Sequence, residues 1–478
     1  MPLPRTFSLL VLGQGSSGLD VVEWALAHPA ATGGRVESVT VYGGAKAAPT
    51  DRTRALEARG ARFVYGTEAV EGSYDVCVAS PGISEFSDFF AAGRAASGEI
   101  MGEPELAWRL SPDRWCAVTG TNGKTTTTSL IDHLLKAAGM DSVAVGNIGE
   151  PPIHQVDARR PGEWFVAELS SFQIATTSEL HPRVAVLLNI TPDHLAWHRT
   201  HENYARAKIK LFHNMDERDL VIVDAEDEGI AAFADEVYVP GRRVLKVAAT
   251  DPGAQDAAFA RDGRLIVRLA GEETALAAVT DLKIHGHHNL INALSAAAAA
   301  LACGADAADV TAGLASFQPL EHRVEPCGAV DGVQVFNDSK ATNTDAVEKA
   351  LTAFPGKRVV LLMGGHDKGT PLEDFMAVVA AEASAVVLFG DARPRFHEAL
   401  ARAVAAQEAA GGRHVDVVDA EHLADAVERG LSLAHPGDVL LLSPACSSFD
   451  EFSGYEERGR VFKAQIARLA AADAPAGA

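Results

Sequence analysis

The chain has 478 residues, 47% of them hydrophobic, which is enough for about three domains of ordinary size. The formal net charge of −22 and the lack of a Lys/Arg cluster argue against a nucleic-acid partner, because binding to a phosphate backbone relies on clustered cations. No apolar run reaches 18 residues, so a membrane partner is not expected. The five cysteines are scattered without C-x-x-C spacing, which is typical of reduced core thiols in a cytoplasmic protein.

The first predicted element is the strand "TFSLLVLG" at 6–13, followed by a turn with Gly13, Gly15 and Gly18 and by a helix. Such a turn is typical of phosphate binding at a helix N-terminus. A nicotinamide site would also need an acidic residue after the second strand, and the chain has Tyr42, Gly43 and Gly44 there. A nicotinamide-dependent dehydrogenase is therefore a remote alternative, and the first section is predicted to be a small α/β domain.

The second glycine turn lies in "CAVTGTNGKTTTTSLIDHLL" at 116–135. The pattern G-x-x-x-x-G-K-[ST] requires glycine at position 118, where the chain has Val118. The physical requirements remain, because a buried strand precedes the turn and a helix follows it. Lys124 is predicted to reach the β- and γ-phosphates of a nucleotide, and the Thr125 hydroxyl is predicted to bind magnesium.

The middle section alternates strands and helices, which predicts a mostly parallel central sheet. "EWFVAELSSFQ" places Glu168 at the end of an apolar strand, where a carboxylate is costly unless it is paired or bound to a metal. Glu168 is therefore a metal-ligand candidate, and the alternative is a cap for the following helix. The stretch 241–284 is predicted to form a small antiparallel piece.

The stretch "TPDHLAWHRTHENYARAKIKLF" follows another buried strand and contains no zinc pattern. His194, near the end of that strand, is expected to be a single metal ligand or a hydrogen bonder to a phosphoryl group. His198 and His201 are expected to face solvent. From the residues alone, Lys208 and Lys210 read as a solvated helix face.

The last section, from about residue 321, repeats the strand–helix alternation and predicts a third α/β unit. Several polar side chains fall at strand ends or turns, where open α/β sheets bind ligands. They are Arg323, Asp338, Lys340, Lys368 and Ser448. Each alone is better explained by a surface salt bridge, but that explanation is strained for all five together.

Taken in order, "TGTNGKT", "ELSSFQ", "TPDHL", "HHNLINALSAA", "EHRVE", "NDSKATN" and "SPACSSFD" make the chain similar to the Mur ligases, the ATP-dependent amide ligases of peptidoglycan precursor synthesis. The resemblance covers nearly the whole chain and implies three α/β domains. These are a Rossmann-like UDP-sugar-binding domain at 1–103, a P-loop-type ATP-binding domain at 104–320 and a Rossmann-like amino-acid-binding domain at 321–478. The family turn G-T-N-G-K-[ST] accounts for the deviation at Val118.

Within the family the motifs resemble the branch that adds D-glutamate to UDP-N-acetylmuramoyl-L-alanine, and they imply ATP, two Mg²⁺ ions and CO₂ as a lysine carbamate. The implied catalytic residues are Lys124, His194 and Lys208. The implied metal ligands are Thr125, Glu168, His194 and carbamylated Lys208. The implied ATP contacts are Gly120, Thr121, Asn122, Gly123, Lys124, Thr125, Thr126, Asn289, Asn292, Arg323 and Asp338. The implied UDP-sugar contacts are Gly15, Ser16, Ser17, Ser80, Asn147 and His194, and the implied D-glutamate contacts are Thr342, Lys368, Ser448 and Phe449.

The chain departs from the family pattern at Ala196, where a second acidic residue is usual, and at Tyr42–Gly44, where an acid usually serves uridine. A folylpolyglutamate synthetase, which shares the phosphate turn, remains an alternative, although it predicts no separate N-terminal domain. A non-catalytic nucleotide-binding module would have no reason to keep Glu168, His194 and Lys208 together. The resemblance further implies a cytoplasmic monomer that contributes to cell-wall synthesis, cell shape and division.

Overall fold

The computed structural model describes residues 3–367 and 369–473, with side chains as far as residue 471. The chain folds as two compact units. The first contains the chain up to Leu282 together with Ile291–Ser316, and the second contains Lys283–Leu290 together with the chain from Phe317. The first two predicted domains thus share one compact unit, and their boundary near residue 103 remains a prediction.

The first sheet has five parallel strands in the order β3-β2-β1-β4-β5. Its strands are β1 (Phe7–Leu12), β2 (Val36–Tyr42), β3 (Arg62–Val64), β4 (Tyr74–Ala79) and β5 (Ser97–Gly102). Its helices are α1 (Ser16–Ala27), α2 (Asp51–Ala58), α3 (Asp88–Ala95) and α4 (Glu103–Leu110). Strands β1 and β4 are almost entirely apolar because helices cover both faces of the sheet.

The second sheet, also in the first unit, has nine strands in the order β14-β13-β12-β11-β10-β9-β6-β8-β7. Its strands are β6 (Trp115–Thr119), β7 (Ser142–Gly146), β8 (Trp164–Glu168), β9 (Val184–Leu187), β10 (Leu220–Asp224), β11 (Val244–Val247), β12 (Ala257–Arg261), β13 (Arg264–Leu269) and β14 (Glu272–Ala278). The helices of this section are α5 (Lys124–Ala137), α6 (Pro152–Gln155), α7 (Ser171–Ala175), α8 (Leu195–His198), α9 (His201–Ile209), α10 (Glu228–Ala231) and α11 (Ala234–Val237). Strands β12, β13 and β14 pair antiparallel, as predicted for 241–284.

Helix α12 (His287–Ala302) is rich in alanine and is followed by α13 (Ala307–Ser316). The third sheet, in the second unit, has the order β15-β16-β20-β17-β18-β19. Its strands are β15 (Glu325–Val330), β16 (Val333–Asn337), β17 (Val359–Gly364), β18 (Ala385–Phe389), β19 (Asp416–Asp419) and β20 (Val439–Ala445). Its helices are α14 (Thr344–Leu351), α15 (Glu373–Glu382), α16 (Arg393–Ala409), α17 (Leu423–Leu433) and α18 (Tyr455–Asp473).

Three α/β sheets in chain order confirm the predicted fold class. Only β15 pairs antiparallel in the third sheet of the described residues. Strand β5 went unpredicted because its sequence "SGEIMG" contains two glycines and little of the β-branched or aromatic character that favours strands. No helix among the described residues is long and apolar enough to cross a bilayer.

Candidate active site

The candidate site lies at the carboxyl ends of three neighbouring parallel strands, β8, β6 and β9. Glu168 ends β8, the second glycine turn follows β6, and His194 lies in the loop after β9. The sequence predicted each strand end separately. The sheet order brings them to one edge, which is where open α/β sheets bind ligands.

The turn at Gly120–Gly123 is held from outside by an asparagine side chain. Asn189 Oδ1 accepts a hydrogen bond from the Asn122 amide at 2.8 Å, and Asn189 Nδ2 donates to the Asn122 carbonyl at 3.2 Å. Gly123 has a φ of 81° and precedes α5, which has no side-chain N-cap. A Cβ at Gly123 would lie 2.6 Å from Asn292 Oδ1, so both its backbone conformation and its surroundings require glycine. The backbone amides of the first turn of α5, at Thr125 and Thr126, therefore suit an anion.

Two lysines converge on one backbone carbonyl of this turn. The Gly120 oxygen accepts hydrogen bonds from Lys124 Nζ at 2.9 Å and from Lys208 Nζ at 2.7 Å, and Lys124 Nζ also donates to the Thr121 carbonyl at 2.8 Å. Lys208 is 1% exposed, and its Nζ lies 4.6 Å from the centre of the Tyr204 ring. Burial, followed by repulsion from Lys124, lowers the pKa of Lys208 well below its usual range. Lys208 is thus a buried lysine whose neutral amine is favoured, and its prediction from residues alone as a solvated side chain is wrong.

Glu168 is 1% exposed, and its two carboxylate oxygens have different surroundings. Oε1 accepts a hydrogen bond from Asn147 Nδ2 at 2.7 Å. Oε2 is buried and has no hydrogen-bond partner among the residues that the structure describes. Because a buried carboxylate oxygen is costly without a partner, this atom fits a cation, and an oxygen ligand suits Mg²⁺. Asn147, predicted to contact the UDP-sugar, orients this carboxylate.

His194 begins α8 in the left-handed region, with a φ of 54°. Non-glycine residues rarely adopt this conformation, and they do so mostly where the surrounding structure enforces it. The His194 ring lies 4.8 Å from the Phe172 ring, which in turn stacks on Trp197 at 4.8 Å. Its side chain is 49% exposed, so a ligand could reach the imidazole.

His198 contradicts its prediction as a solvent-facing residue. Its side chain is fully buried, Nε2 lies 2.9 Å from Ser171 Oγ, and the ring packs against Trp197 and Tyr204. Burial lowers the pKa of His198 to about 4, so the imidazole is neutral at pH 7. The prediction failed because α8 is a single turn that folds this side chain onto α7 and α9. His201, also expected at the surface, is half-buried.

The loop after β4 contacts the loop that carries His194. Trp197 Nε1 donates to the Pro81 carbonyl at 3.0 Å, and Ser84 Oγ donates to the Trp197 carbonyl at 2.9 Å. The first sheet and the candidate metal residues are therefore joined within one compact unit.

The first glycine turn also leads into an uncapped helix. Helix α1 starts at Ser16, its N-cap Gly15 has no side-chain hydrogen bond, and no acidic residue lies in the first turn. Ser16 is exposed and Ser17 is half-buried. A Cβ at Gly18 would lie 2.6 Å from the Gly13 carbonyl, so Gly18 allows the close packing of the turn.

Ser80, predicted to contact uridine, is 8% exposed and lies beneath the first glycine turn. Its Oγ is 3.5 Å from the Gly13 carbonyl, and it would lie 2.9 Å from a Cβ built at Gly13 and 2.6 Å from one built at Gly18. This position makes Ser80 a packing residue of the turn, whatever it contacts in a complex.

Among the predicted residues of the second unit, Asp338 has the most strongly shifted pKa. Asp338 is 7% exposed, accepts hydrogen bonds from Ser443 Oγ at 2.7 Å and from the Val324 amide at 3.2 Å, and has its pKa raised to about 7 by burial. Arg323 is half-buried, and its charge lowers the pKa of Asp338 in part. The last two residues of the predicted D-glutamate set differ: Ser448 is 2% exposed and Phe449 is 72% exposed.

The remaining predicted residues are placed as follows. Thr342 is half-buried in the second unit, and Lys368 lies outside the described residues. Asn289, in the second unit, donates from Nδ2 to the His285 carbonyl at 2.8 Å. Asn292, in the first unit, lies against Gly123 of the phosphate turn. The predicted adenine and ribose contacts are thus distributed over both units.

Two family models match the chain: the Mur ligase middle domain at residues 118–300 and the Mur ligase glutamate ligase domain at residues 322–446. The UDP-N-acetylmuramoylalanine–D-glutamate ligase of Symbiobacterium thermophilum is 38% identical over 88% of this chain and 90% of its own length. The chain belongs to the Mur ligase family. A second relative with the same name, from Pelotomaculum thermopropionicum, is 36% identical over 96% of this chain and 97% of its own length.

Solved structures of other Mur ligases share the fold of this one. The UDP-N-acetylmuramate-alanine ligase MurC from Thermotoga maritima aligns over 97% of this chain and 99% of its own, with a TM-score of 0.54 and 20% sequence identity. At that identity the similarity concerns the fold alone. The family models and relatives lend no support to a folylpolyglutamate synthetase or to a dehydrogenase.

Several residues of this Mur ligase site were missed at the sequence level. Asn189 brackets the phosphate turn, Tyr204 covers Lys208, and Phe172 and Trp197 form the stack beside His194. A weak signal existed for Asn189, since it directly follows a buried strand next to β6. The aromatic contacts join separate elements and leave no periodic trace in the chain.

Proposed function

We propose that this Mur ligase joins D-glutamate to UDP-N-acetylmuramoyl-L-alanine through an acyl phosphate, with conversion of ATP to ADP and phosphate. The observation that carries this proposal is the arrangement of Lys124, Lys208 and Glu168 at one sheet edge, beside a glycine turn that opens a helix without a side-chain N-cap. The names of relatives that match nearly the full chain support the choice of D-glutamate.

The reaction requires stabilisation of negative charge at each step. A carboxylate oxygen of the UDP-sugar substrate attacks the γ-phosphorus of ATP, an O–P bond forms, and the bond to ADP breaks. Lys124 and the amides at the start of α5 hold the transferring phosphoryl group. The amine of D-glutamate then attacks the acyl phosphate carbon, loses a proton, and phosphate leaves.

Two groups of residues fit magnesium ions in this scheme. Thr125 and Glu168 would hold one ion, with Glu168 Oε2 as the atom that has no other partner among the described residues. His194 and Lys208 would hold a second. Magnesium supplies charge neutralisation to the phosphate oxygens.

Lys208 can serve a metal only in a modified form, because an ammonium group repels a cation. Addition of CO₂ to its neutral amine forms an N–C bond and releases a proton, and the product is a carbamate with carboxylate-like oxygens. Burial and the neighbouring Lys124 favour the neutral amine that this addition requires. Lys210, the competing lysine, donates from Nζ to the Ala175 carbonyl at 2.6 Å, away from Gly120.

The UDP-sugar diphosphate fits the first glycine turn, where the amides at Ser16 and Ser17 start an uncapped helix. In the second unit, Thr342, Ser448 and Phe449 are assigned to D-glutamate together with Lys368, which the structure does not describe. Asn289, Asn292, Arg323 and Asp338 are assigned to the nucleoside of ATP. We assign the enzyme to the cytoplasm as a monomer, in keeping with five cysteines that form no disulfide and a need for ATP.

The test is a phosphate-release assay with purified protein, ATP, Mg²⁺ and UDP-N-acetylmuramoyl-L-alanine. D-glutamate, L-glutamate, L-lysine, L-alanine and meso-diaminopimelate are compared as acceptors, and Lys124→Ala protein is the blank. Release that depends on both the UDP-sugar and D-glutamate is expected. Equal turnover of D- and L-glutamate, or turnover without the UDP-sugar, would contradict the proposal and favour the folylpolyglutamate synthetase alternative.

A further inference from the structure

A second charged region lies at the opposite edge of the nine-stranded sheet. A charged residue immediately precedes each of five adjacent parallel strands, namely Arg114 before β6, Glu163 before β8, Arg183 before β9, Asp219 before β10 and Arg243 before β11. Because amino ends of parallel strands meet at one edge, these side chains surround a common space. The proposed catalytic residues lie at the other edge.

That space is a cavity of about 810 Å³ within the first unit. Its lining includes six arginines, Arg114, Arg159, Arg160, Arg183, Arg218 and Arg243. Only three carboxylates, Asp113, Glu163 and Asp219, line it with them. Asp141, Asp216 and Asp256 pair with three of the arginines from outside this lining, which leaves Arg114 and Arg159 without a carboxylate within 4 Å among the described residues. The volume is that of a site for a small molecule.

Four of these arginines are fixed by carboxylates around the cavity. Arg183 Nη1 lies 2.7 Å from buried Asp219, and Arg243 Nη2 lies 2.7 Å from Asp256. Arg218 and Arg160 pair with acids in the same way, the latter with Glu163 at 2.8 Å. An ion pair at one edge of a guanidinium holds the plane in place and leaves donors on the other edge.

Arg159 shapes the cavity wall and is fully engaged. Its guanidinium lies 4.0 Å from the centre of the Phe165 ring and donates to the carbonyls of Ser111, Asp113, Arg114 and Glu163. Burial lowers the pKa of Arg159 to about 10, so it remains charged at pH 7. The loops before β6 and β8 are thereby clamped around one cation.

Arg114 is left with guanidinium donors for a ligand, beside Trp164 at the cavity wall. Arg114 is exposed, lies 5.9 Å from the Trp164 ring centre, and has no carboxylate within 4 Å among the described residues. Trp164 is 6% exposed and lines the cavity, and its Nε1 has no hydrogen-bond partner among those same residues. Trp164 thus lies at the cavity wall, where its indole can report on a bound ligand.

We propose that this arginine cavity is a second anion-binding site, separate from the phosphate turn, for a small molecule that carries two or more phosphate or carboxylate groups. Arg114 and Arg159, whose guanidinium groups have no carboxylate partner among the described residues, supply the charge, the surrounding ion pairs supply the rigidity, and Arg114 supplies donors. A single phosphate would leave most of the volume unfilled. The proposal does not depend on which amino acid the enzyme ligates.

The test measures binding of pyrophosphate and of citrate by isothermal titration calorimetry in magnesium-free buffer at constant ionic strength. Two probes distinguish phosphate from carboxylate ligands. Lys124→Ala protein removes the cation of the phosphate turn, and the cavity substitutions distinguish binding in the cavity from binding at the first glycine turn. The cavity is altered by Arg114→Asn with Arg218→Ala, since Asn tolerates the φ of 54° at position 114. Arg402→Ala, an exposed arginine of α16 in the second unit, is the matched control.

We expect at least one probe to bind the Lys124→Ala protein, with binding at least tenfold weaker when both cavity substitutions are added and unchanged by Arg402→Ala. Binding should also change the tryptophan fluorescence, and Trp164→Phe should remove that change. If the double variant fails to fold, Arg218→Ala alone serves, because its side chain is 72% exposed. Three results would overturn the proposal. They are binding that disappears in the Lys124→Ala protein, binding that the cavity substitutions leave unchanged, and binding that is undetectable at millimolar probe concentration.

Discussion

The two glycine turns of the first unit have the same local design and different surroundings. Each follows a buried strand and opens a helix without a side-chain cap, whereas α3 and α9 are capped by Ser87 and Thr200. Around the phosphate turn, two lysines share the Gly120 carbonyl and Glu168 offers a buried oxygen. The first turn contributes backbone amides and serine hydroxyls. Amides are enough to bind a diphosphate, whereas transfer of a phosphoryl group needs added charge.

The largest effect is expected from Lys124→Ala, which removes the charge that distinguishes the phosphate turn. Phosphate release should fall by about 1000-fold, because a preorganised charge in a transition state is worth that much. The melting temperature should change little. Lys136→Ala, at an exposed salt bridge on the same helix, should keep full activity. Turnover that survives Lys124→Ala would make the two turns equivalent.

A smaller loss, about 100-fold in kcat, is expected from Lys208→Ala, because a lost metal ligand or its support typically costs that much. Added acetate or another short carboxylic acid should restore part of the activity if a carbamate is the ligand. Lys210→Ala is the matched control, since it removes a half-buried lysine two residues further along the chain. Added acid should not change the activity of this variant. Equal behaviour of the two variants would contradict carbamylation of Lys208.

At the first turn, Ser16→Pro should raise the KM for the UDP-sugar about tenfold and leave kcat nearly unchanged. Proline at the first helical position removes one N–H without breaking the helix, and Gly15 already has the extended conformation that precedes proline. Ser16→Ala, which keeps the amide, should have a near-normal KM. If alanine had the larger effect, the hydroxyl rather than the amide would bind the diphosphate.

The smallest effect on turnover is expected from Glu103→Gln. This substitution tests the contact between α4, which belongs to the same section as the first glycine turn, and α6. Glu103 is 3% exposed, accepts a hydrogen bond from the Ile153 amide at 2.7 Å, and has its pKa raised to about 8 by burial. A carboxyl with a raised pKa stabilises the fold fully below its unfolded pKa and loses this contribution as pH rises through 8.

Urea unfolding at pH 5 and pH 9 measures this difference. Between these pH values, the free energy of unfolding of the unmodified protein should fall by up to about 4 kcal/mol more than that of Glu103→Gln protein. The kcat values of the two proteins at pH 7 should be equal. Asp75→Asn, which replaces an exposed carboxylate with a lowered pKa, is the control. Between pH 5 and pH 9 it should lose as much free energy of unfolding as the unmodified protein. Identical pH profiles would mean that Glu103 is ionised in the fold.

The sequence was a good guide to strands, glycine turns and residue types, and a poor guide to neighbours. Apolar runs predict β6, β8 and β9, so the sequence places Glu168 at a strand end and Lys124 in the turn after a strand. Their meeting depends on the order β8-β6-β9, which no local pattern encodes. The same limit explains His198, whose burial comes from Ser171 and Tyr204 on other elements.

The arginine cavity is a second feature that the sequence alone does not predict. A charged residue before a strand is an ordinary feature, and each of Arg114, Arg183 and Arg243 alone suggests only a solvated strand end. Their convergence follows from the parallel register of five strands. The sequence therefore cannot show that these charged residues line one cavity, because this depends on the order of the strands in the sheet.

The Gly120 carbonyl, which accepts hydrogen bonds from both Lys124 and Lys208, has a consequence for inhibitor design. It belongs to the main chain, so no codon change can delete it. We expect a compound that binds this oxygen and its two amines to leave few routes to resistance, because a change of either lysine should also reduce the proposed ligase activity.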